Sequence, residues 1–353
     1  MESVRIRTEP AYDALVGSGL LAEAGARTAA AVPGRSVFIA ADEHVAPLYL
    51  EQVRESYEAA GFRTECFVFP AGEDAKCLET VERMLEAADR AELTRGDLFA
   101  ALGGGVTGDL TGLAAALYQR GTDFVQIPTT LLAMVDASVG GKTAVNLKSG
   151  KNLCGAFHQP RLVLCDPETL KTLDRAVYAE GMAEVIKHGA LSGGGLLDRI
   201  QKGESAESLI ADNIRFKSEI VAMDEREKGP RQLLNFGHTF GHALEKLNNY
   251  AIYHGEGVST GMLIAAWTAE AQGLCQKGVY AELRALLAAQ GLPVTTSFTA
   301  KQVAEAAMND KKRRGNRVTL VLPEARGRCR LVPVETAQLG EMIECCDGEV
   351  TGR

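Results

Sequence analysis

The run Asp97-Leu98-Phe99-Ala100-Ala101-Leu102 leads directly into Gly103-Gly104-Gly105-Val106-Thr107-Gly108-Asp109. An apolar helical pattern then continues to about Leu117. This order constrains the fold more than any other segment. It reads as a buried strand, a tight turn and a helix laid back on the strand, one unit of a parallel sheet. Gly103, Gly105 and Gly108 fit the spacing G-x-G-x-x-G. There the backbone can approach a pyrophosphate, with helix N–H groups facing the anion. A strand-to-helix turn with no ligand reads equally well from these glycines, so the motif alone decides nothing.

The preceding residues, 1 to about 95, alternate strands and helices. Val37-Phe38-Ile39-Ala40-Ala41 suits a buried parallel strand ending at Asp42, with a helix expected through residue 60. Glu65–Phe69 reads as the next strand, Pro70–Glu73 as a turn, and residues 75–90 as a helix. This order predicts a doubly wound sheet with ligands beyond the carboxyl ends of its strands. The dinucleotide fingerprint also asks for an acid about 20 residues on. Asp123 falls there but follows the loop signal Arg120-Gly121-Thr122, so Asp42, at a strand end, is the better ribose partner. The glycine turn also comes late, near residue 100, where the usual fingerprint opens its domain. The expectation is a Rossmann-like α/β domain that differs from the standard dehydrogenase.

Phe124–Ile127 reads as a strand, and Pro128-Thr129-Thr130 as a hydroxyl-bearing turn. Gly140-Gly141-Lys142-Thr143 invites a Walker A reading, but that pattern needs a glycine where Asp136 stands. A glycine-supported Lys142 aimed at an anion is the better reading. Lys148-Ser149-Gly150-Lys151-Asn152 adds donors in what is expected to be a loop folded against something. From about Leu170 the texture turns helical until Arg317–Leu322. The expected division is therefore residues 1–170, α/β, and 171–353, mainly α-helical, with a loose polar tail after Glu344.

Two domains suit 353 residues. The net charge of −8 argues against non-specific nucleic-acid binding. No apolar run is long enough for a bilayer, and the N-terminus shows no h-region. The eight cysteines are scattered without a CxxC. Together these set the expectation of a cytoplasmic chain with reduced thiols.

The second half carries the metal chemistry. Asn235-Phe236-Gly237-His238-Thr239-Phe240-Gly241-His242 holds two of the six histidines, at i and i+4 on one helix face. His254 follows in His254-Gly255-Glu256. Glu184 and Lys187 lie three apart in the helical run from Tyr178 to His188. Glu184, His238 and His254 offer two nitrogens and an oxygen, a set that suits zinc with one position open. His238 and His242 can equally both be ligands, and a single histidine is more often structural. Lys187, Lys217, Arg231 and the run Lys311-Lys312-Arg313-Arg314 suggest a small polyanionic ligand.

These stretches, with Pro70 to Lys76, Ile127 to Thr143, Gly150-Lys151-Asn152 and Gly181 to Lys187, resemble the 3-dehydroquinate synthase family in order and over nearly the whole chain. The resemblance implies a Rossmann-like N-terminal domain, a helical C-terminal domain, NAD, zinc (cobalt as an alternative) and a homodimer. It also implies conversion of 3-deoxy-D-arabino-heptulosonate 7-phosphate to 3-dehydroquinate and phosphate, through transient oxidation, phosphate elimination, re-reduction and aldol closure. By motif, the metal ligands would be Glu184, His238 and His254. NAD would be met by Asp42, Glu73, Lys76, Gly104, Gly105, Val106, Asp109, Thr129, Thr130, Asp136, Lys142, Lys151 and Thr169. Catalytic roles would fall to Asp136, Lys142, Lys187, Asn235 and His242. Substrate would be bound by Lys151, Asn152, Lys217, Arg231 and a lysine at 311 or 312. Arg120 would reach the neighbouring subunit's site; Gln119, beside it, stands where the family often has methionine. Cyclases whose substrates lack a carboxylate are the nearest rivals, and Arg231 with Lys217 favours the carboxylated substrate. A metal-dependent polyol dehydrogenase would differ in net NADH production.

Overall fold

Six consecutive residues of one strand, Ser36 to Ala41, are buried, and so is every residue of Leu98–Gly103. A strand with no wet face belongs to a parallel sheet covered on both sides. The computed structural model describes residues 1–193, 195–308 and 316–353; Lys311 and Lys312 lie outside the described residues. Its strands are β1 (Glu2–Ile6), β2 (Tyr12–Val16), β3 (Ser36–Asp42), β4 (Arg63–Phe69), β5 (Leu98–Gly103), β6 (Asp123–Pro128), β7 (Lys142–Leu147), β8 (Gly150–Phe157), β9 (Leu162–Cys165), β10 (Arg317–Ala325) and β11 (Arg328–Glu335). Its α-helices are α1 (Ala24–Ala31), α2 (Glu51–Ala59), α3 (Leu78–Arg90), α4 (Gly105–Leu117), α5 (Arg175–Leu191), α6 (Gly195–Gln201), α7 (Ala206–Met223), α8 (His238–Leu247), α9 (His254–Ala271), α10 (Val279–Ala289), α11 (Ala300–Met308) and α12 (Leu339–Ile343).

The chain divides into two compact units, Met1–Leu173 with Ala206–Arg226, and Asp174–Ser205 with Glu227–Arg353. The single break expected near residue 170 does not include the return of α7 to the first unit. There α7 packs on β1 and on the π-helical turn Ala133–Ala137.

The first unit holds a seven-stranded sheet in the order β1-β2-β9-β6-β5-β3-β4. Only β1 runs antiparallel to its neighbour; the other pairs are parallel. Alternate residues of each strand enter separate cores. Val37, Ile39, Leu98 and Ala100 meet Val53 and Tyr57 of α2. Phe38, Phe99 and Phe124 meet Met84 of α3 and Leu110 and Leu113 of α4. From β3 the chain moves out to β4, then returns to the other side of β3 as β5. The strand order therefore reverses between β3 and β5, where Ala41 pairs with Leu102. Asp42 and the glycine turn close those two strands at their carboxyl ends, the usual ligand position of an open α/β sheet.

Residues 142–157 form a two-stranded antiparallel hairpin, β7–β8, which takes in Gly150 to Asn152 of the expected loop. Thr143 and Val145 are buried and alternate with exposed or half-buried neighbours, a short period-2 pattern hidden among lysines and glycines. The second unit groups α5, α6 and α8–α12 with the hairpin β10–β11. Its C-terminus is held, contrary to the expected loose tail. Val350 and Thr351 are buried, Asp347 Oδ1 accepts the Ala300 N–H at the start of α11, and Gly352 N–H donates to Phe298 O. Among the described residues, no helix is long and apolar enough to cross a membrane.

Candidate active site

Two helices of the second unit approach so closely that only glycine fits between them. A Cβ on Gly261 of α9 would stand 2.1 Å from Gly237 O and 2.7 Å from Gly241 N of α8. Gly237 also caps α8 with φ 80, a left-handed conformation that favours glycine. At the start of α9, a Cβ on Gly255 would lie 2.5 Å from Glu180 O, so this end of α9 rests on the backbone of α5. The glycines of the His238 and His254 motifs thus set three helices against one another. His254 N–H donates to Glu180 Oε1 at 3.2 Å, and Tyr253 N–H to Glu256 Oε2 at 2.9 Å, fixing the first turn of α9. Burial pushes the Glu180 carboxyl up, against the pull of His254.

This packing gathers the expected ligands. His238 Nε2 lies 3.7 Å and His254 Nε2 3.6 Å from the same oxygen, Glu184 Oε1. The other oxygen, Oε2, is ion-paired with Lys187 one turn along α5, and both of these side chains are 1% exposed. Donor atoms of Glu184, His238 and His254 all lie within 4.8 Å of one another. The backs of both rings are also engaged. His238 Nδ1 is 3.2 Å from Phe236 O, and His254 Nδ1 is 2.8 Å from Glu245 Oε1. An acceptor behind Nδ1 puts the proton there and the lone pair on Nε2, the arrangement of a metal-ligating histidine. The residues therefore fit a divalent metal of the zinc type. Burial disfavours a charged His254, but the Glu184 and Glu245 carboxylates outweigh it and raise its pKa to about 10, so the metal-free ring carries a second proton on Nε2 that a bound metal would displace. His242 completes the cluster, its ring centroid 5.4 Å from that of His238 and 5.8 Å from that of His254. A second donor group, His242, Glu245 and His254, shares His254 with the first.

Close by, Asn235 Nδ2 donates to Glu227 Oε1 at 2.6 Å. Glu227 sits at φ 56, a strained setting for a non-glycine residue. Nothing local in the sequence marks Glu227; its bond to Asn235 and its backbone strain emerge only in the fold. Arg231 is buried to 1% exposure in the 3-10 turn Pro230–Asn235.

In the first unit, a polar chain joins the glycine-turn helix to the β7–β8 hairpin. Lys76 Nζ is 2.5 Å from Asp109 Oδ2 and donates to Asn152 Oδ1 at 2.7 Å. Asn152 N–H donates to Asn146 Oδ1 at 2.8 Å, and Asn146 Nδ2 to Glu73 Oε1 at 2.7 Å. Glu73, Lys76, Asp109 and Asn152 were all singled out from sequence, whereas Asn146, which joins them, was not. Burial pushes the Asp109 carboxyl up, with Lys76 opposing.

Gly104 caps α4, and Gly105 and Val106 open it, presenting helix N–H groups at the end of β5. Asp42 Oδ1 accepts the N–H groups of His44 and Val45 at 2.9 and 3.0 Å, and Oδ2 accepts Thr107 Oγ1–H at 3.3 Å. Thr129 N–H donates to Gly103 O across this strand end, and Thr130 Oγ1 accepts Ala133 N–H. Thr169 is buried and lies apart from this turn in sequence, with its hydroxyl donating to Asp166 O. Asp136 lies in the π-helical turn and pairs with Lys217 at 2.8 Å. Lys142 is exposed at the start of β7, and Lys151 is half-buried on β8. Arg120 is exposed in a turn where Gln119 and Arg120 take φ 51 and 67 in succession.

The fold has close counterparts. A 2-deoxy-scyllo-inosose synthase complexed with carbaglucose-6-phosphate, NAD+ and Co2+ superposes with TM-score 0.86 at 26% identity, over 97% of this chain and 99% of that one. The 2-epi-5-epi-valiolone synthase of Streptomyces hygroscopicus subsp. jinggangensis 5008, with NAD+ and Zn2+ bound, gives TM-score 0.84 at 29% identity, over 97% and 98%. The class is that of the sugar-phosphate cyclases. Residues 66–180 match the family described as 3-dehydroquinate synthase N-terminal, and residues 181–313 match 3-dehydroquinate synthase C-terminal. A 3-dehydroquinate synthase of Nitrobacter hamburgensis (strain DSM 10229 / NCIMB 13809 / X14) is 44% identical over 337 residues, 90% of this chain and 88% of its own. The chain belongs to the 3-dehydroquinate synthase family and is an enzyme of that activity.

Proposed function

We propose that the chain turns 3-deoxy-D-arabino-heptulosonate 7-phosphate into 3-dehydroquinate and phosphate, with NAD held by the first unit and zinc or cobalt by Glu184, His238 and His254. The observation that carries this reading is the convergence of His238 Nε2 and His254 Nε2 on one oxygen of Glu184, in a chain of this family. When bound, the metal supplies Lewis-acid polarisation of a substrate hydroxyl and NAD a reversible hydride acceptor.

The chain's own residues bind and orient. In the first unit, the Gly104-Gly105-Val106 turn receives the pyrophosphate on helix N–H groups. Asp42, Thr129, Thr130 and Thr169 flank the nucleotide, and Glu73, Lys76 and Asp109 hold the hairpin that carries Lys142, Lys151 and Asn152. Asp136 and Lys217, paired in the structure, meet substrate and cofactor groups. In the second unit, buried Arg231 offers a bidentate fork for a carboxylate. Lys187 holds Glu184 Oε2, so that Glu184 Oε1 serves the metal. Asn235, fixed by Glu227, and His242, beside the ligand rings, hold reacting groups in geometry.

As in the family, a cytoplasmic homodimer is proposed, in which exposed Arg120 serves the neighbouring subunit. Cyclases of this fold that take non-carboxylated substrates are the second reading, favoured only by their structural likeness.

The test is incubation with the heptulosonate phosphate, catalytic NAD and zinc. Dehydroquinate and phosphate should form one to one, with no net NADH. Stoichiometric NADH, or phosphate release without dehydroquinate, would overturn the reading. Chelation should abolish turnover, and added zinc or cobalt should restore it.

A further inference from the structure

His254 belongs to two donor groups at once, one with Glu184 and His238 and the other with His242 and Glu245. A neutral imidazole carries one N–H and one lone pair. Whichever nitrogen holds the proton is withdrawn from ligation. The structure therefore contains a choice, and Glu245 makes it.

We propose that Glu245 is a positioning residue of the metal centre: its carboxylate holds the Nδ1–H of His254 and thereby commits Nε2 of that ring to the metal. The inference rests on the reading that Glu184, His238 and His254 are the ligands. Glu245 Oε1 is 2.8 Å from His254 Nδ1, and the Glu245 side chain is only 2% exposed. An ionised carboxylate can only accept, so this bond places the proton on Nδ1. The lone pair then lies on Nε2, the nitrogen 3.6 Å from Glu184 Oε1.

Helix geometry makes the placement a fixed one. Glu245 stands seven residues after His238 on α8, two turns along the same face. One helix thus carries both a ligand and the acid that orients the ligand of its neighbour. Gly257 on α9 leaves room for the acid, since a Cβ there would be 3.3 Å from Glu245 Cγ. For His238, the carbonyl of Phe236 occupies the equivalent position behind Nδ1 at 3.2 Å. Both rings have an acceptor behind Nδ1, but only His254 is backed by a carboxylate, which raises ligand basicity more than a carbonyl does. A buried acid that merely satisfied the core would be indifferent to which ring nitrogen faces Glu184.

The experiment uses the full chain, stripped by chelation and titrated with Co2+ alone. Glu245→Gln and Glu245→Ala should weaken cobalt binding about 10- to 100-fold, alanine more than glutamine, and should shift the cobalt d–d bands. Wild-type affinity and an unchanged spectrum in both variants would overturn the proposal, whatever their melting temperatures. A second measurement needs no variant. In the zinc-loaded wild-type protein, 15N–1H NMR of the imidazoles should show His254 protonated at Nδ1, and protonation at Nε2 would overturn the proposal. Failure of the underlying reading looks different. Glu184→Gln would then bind cobalt like wild type, while His242→Gln and Glu245→Gln lost it.

Discussion

Lys217 Nζ lies 2.8 Å from Asp136 Oδ1, although 81 residues separate them. The pair pins α7 to the π-helical turn of the first unit, and Lys217 is 6% exposed while doing so. Lys217 therefore has a structural task in addition to any ligand it meets. Lys217→Met should destabilise the protein by about 1–3 kcal/mol, toward the lower end because Asp136 is partly exposed and water screens it. Lys217→Arg should recover most of that. Urea unfolding of the three proteins checks this; an unchanged midpoint in the methionine variant would show that the pair does not hold α7 in place.

Much of this frame is legible in the residues, for a physical reason. A parallel strand buried on both faces reads as an unbroken apolar run, so Val37–Ala41 and Leu98–Leu102 stand out, and so does the glycine turn that follows the second. The β7–β8 hairpin does not, because Lys142, Asn146 and Lys148 interrupt an alternation carried only by Thr143 and Val145. The return of α7 is invisible for another reason: helical periodicity reports a face, and nothing local names the partner of that face. The histidine cluster shows both limits. Spacing places His238 and His242 on one face and cannot rank them. Side-chain geometry gives them different neighbours: His238 Nε2 shares Glu184 Oε1 with His254 Nε2, while His242 forms a second donor group with Glu245 and His254. Glu245 and Glu227 look like ordinary helix and loop acids until their bonds to His254 and Asn235 are seen.

His158 gives the first unit a measurable response to acid. Its ring stacks on Phe124 with centroids 5.2 Å apart, and Nε2 lies 2.9 Å from Thr122 O. Burial lowers its pKa below the ordinary 6.5, with the Thr122 carbonyl opposing. Below pH about 6.5 the unfolded chain then binds a proton that the folded chain refuses. Stability from this site is full above that pH and is lost as pH falls toward the depressed folded value. His158→Gln should flatten the stability difference between pH 7.5 and 5.5 relative to wild type. Parallel urea curves for the two proteins at both pH values would refute the assignment.

Asn146 is the hinge pin of the polar chain that runs from Glu73 to Lys76 and Asp109. Its side chain donates to Glu73 and accepts from the Asn152 backbone, so alanine removes both bonds at once. If those residues frame the nucleotide, Asn146→Ala should raise the NAD dissociation constant about 5- to 30-fold, the equivalent of about 1–2 kcal/mol. Cobalt affinity should stay as it is, because the proposed metal ligands belong to the other unit. Calorimetric titration with NAD separates the outcomes: unaltered NAD binding would remove the Glu73–Asn152 chain from the cofactor's surroundings.

Gly261 offers the sharpest test of how the helices build the proposed metal centre. A methyl group there would overlap Gly237 O, which is backbone and cannot swing aside as a side chain would. Gly261→Ala must therefore push α9 away from α8, at a cost of about 1–3 kcal/mol. His238 lies immediately after Gly237 on α8 and His254 two turns before Gly261 on α9, so the same wedge widens the spacing of their Nε2 atoms around Glu184. Metal affinity should fall more steeply than overall stability, because ligand atoms displaced by a fraction of an ångström lose coordination while the apolar contacts of the helices adjust. Gly273→Ala, at a left-handed turn after α9 with no neighbour within 4 Å, serves as the control: it should disturb the backbone locally and leave cobalt binding intact. Cobalt titration of both variants beside their melting curves decides the matter, and a Gly261→Ala protein that binds cobalt like wild type would show that the approach of α8 and α9 does not set the ligand geometry.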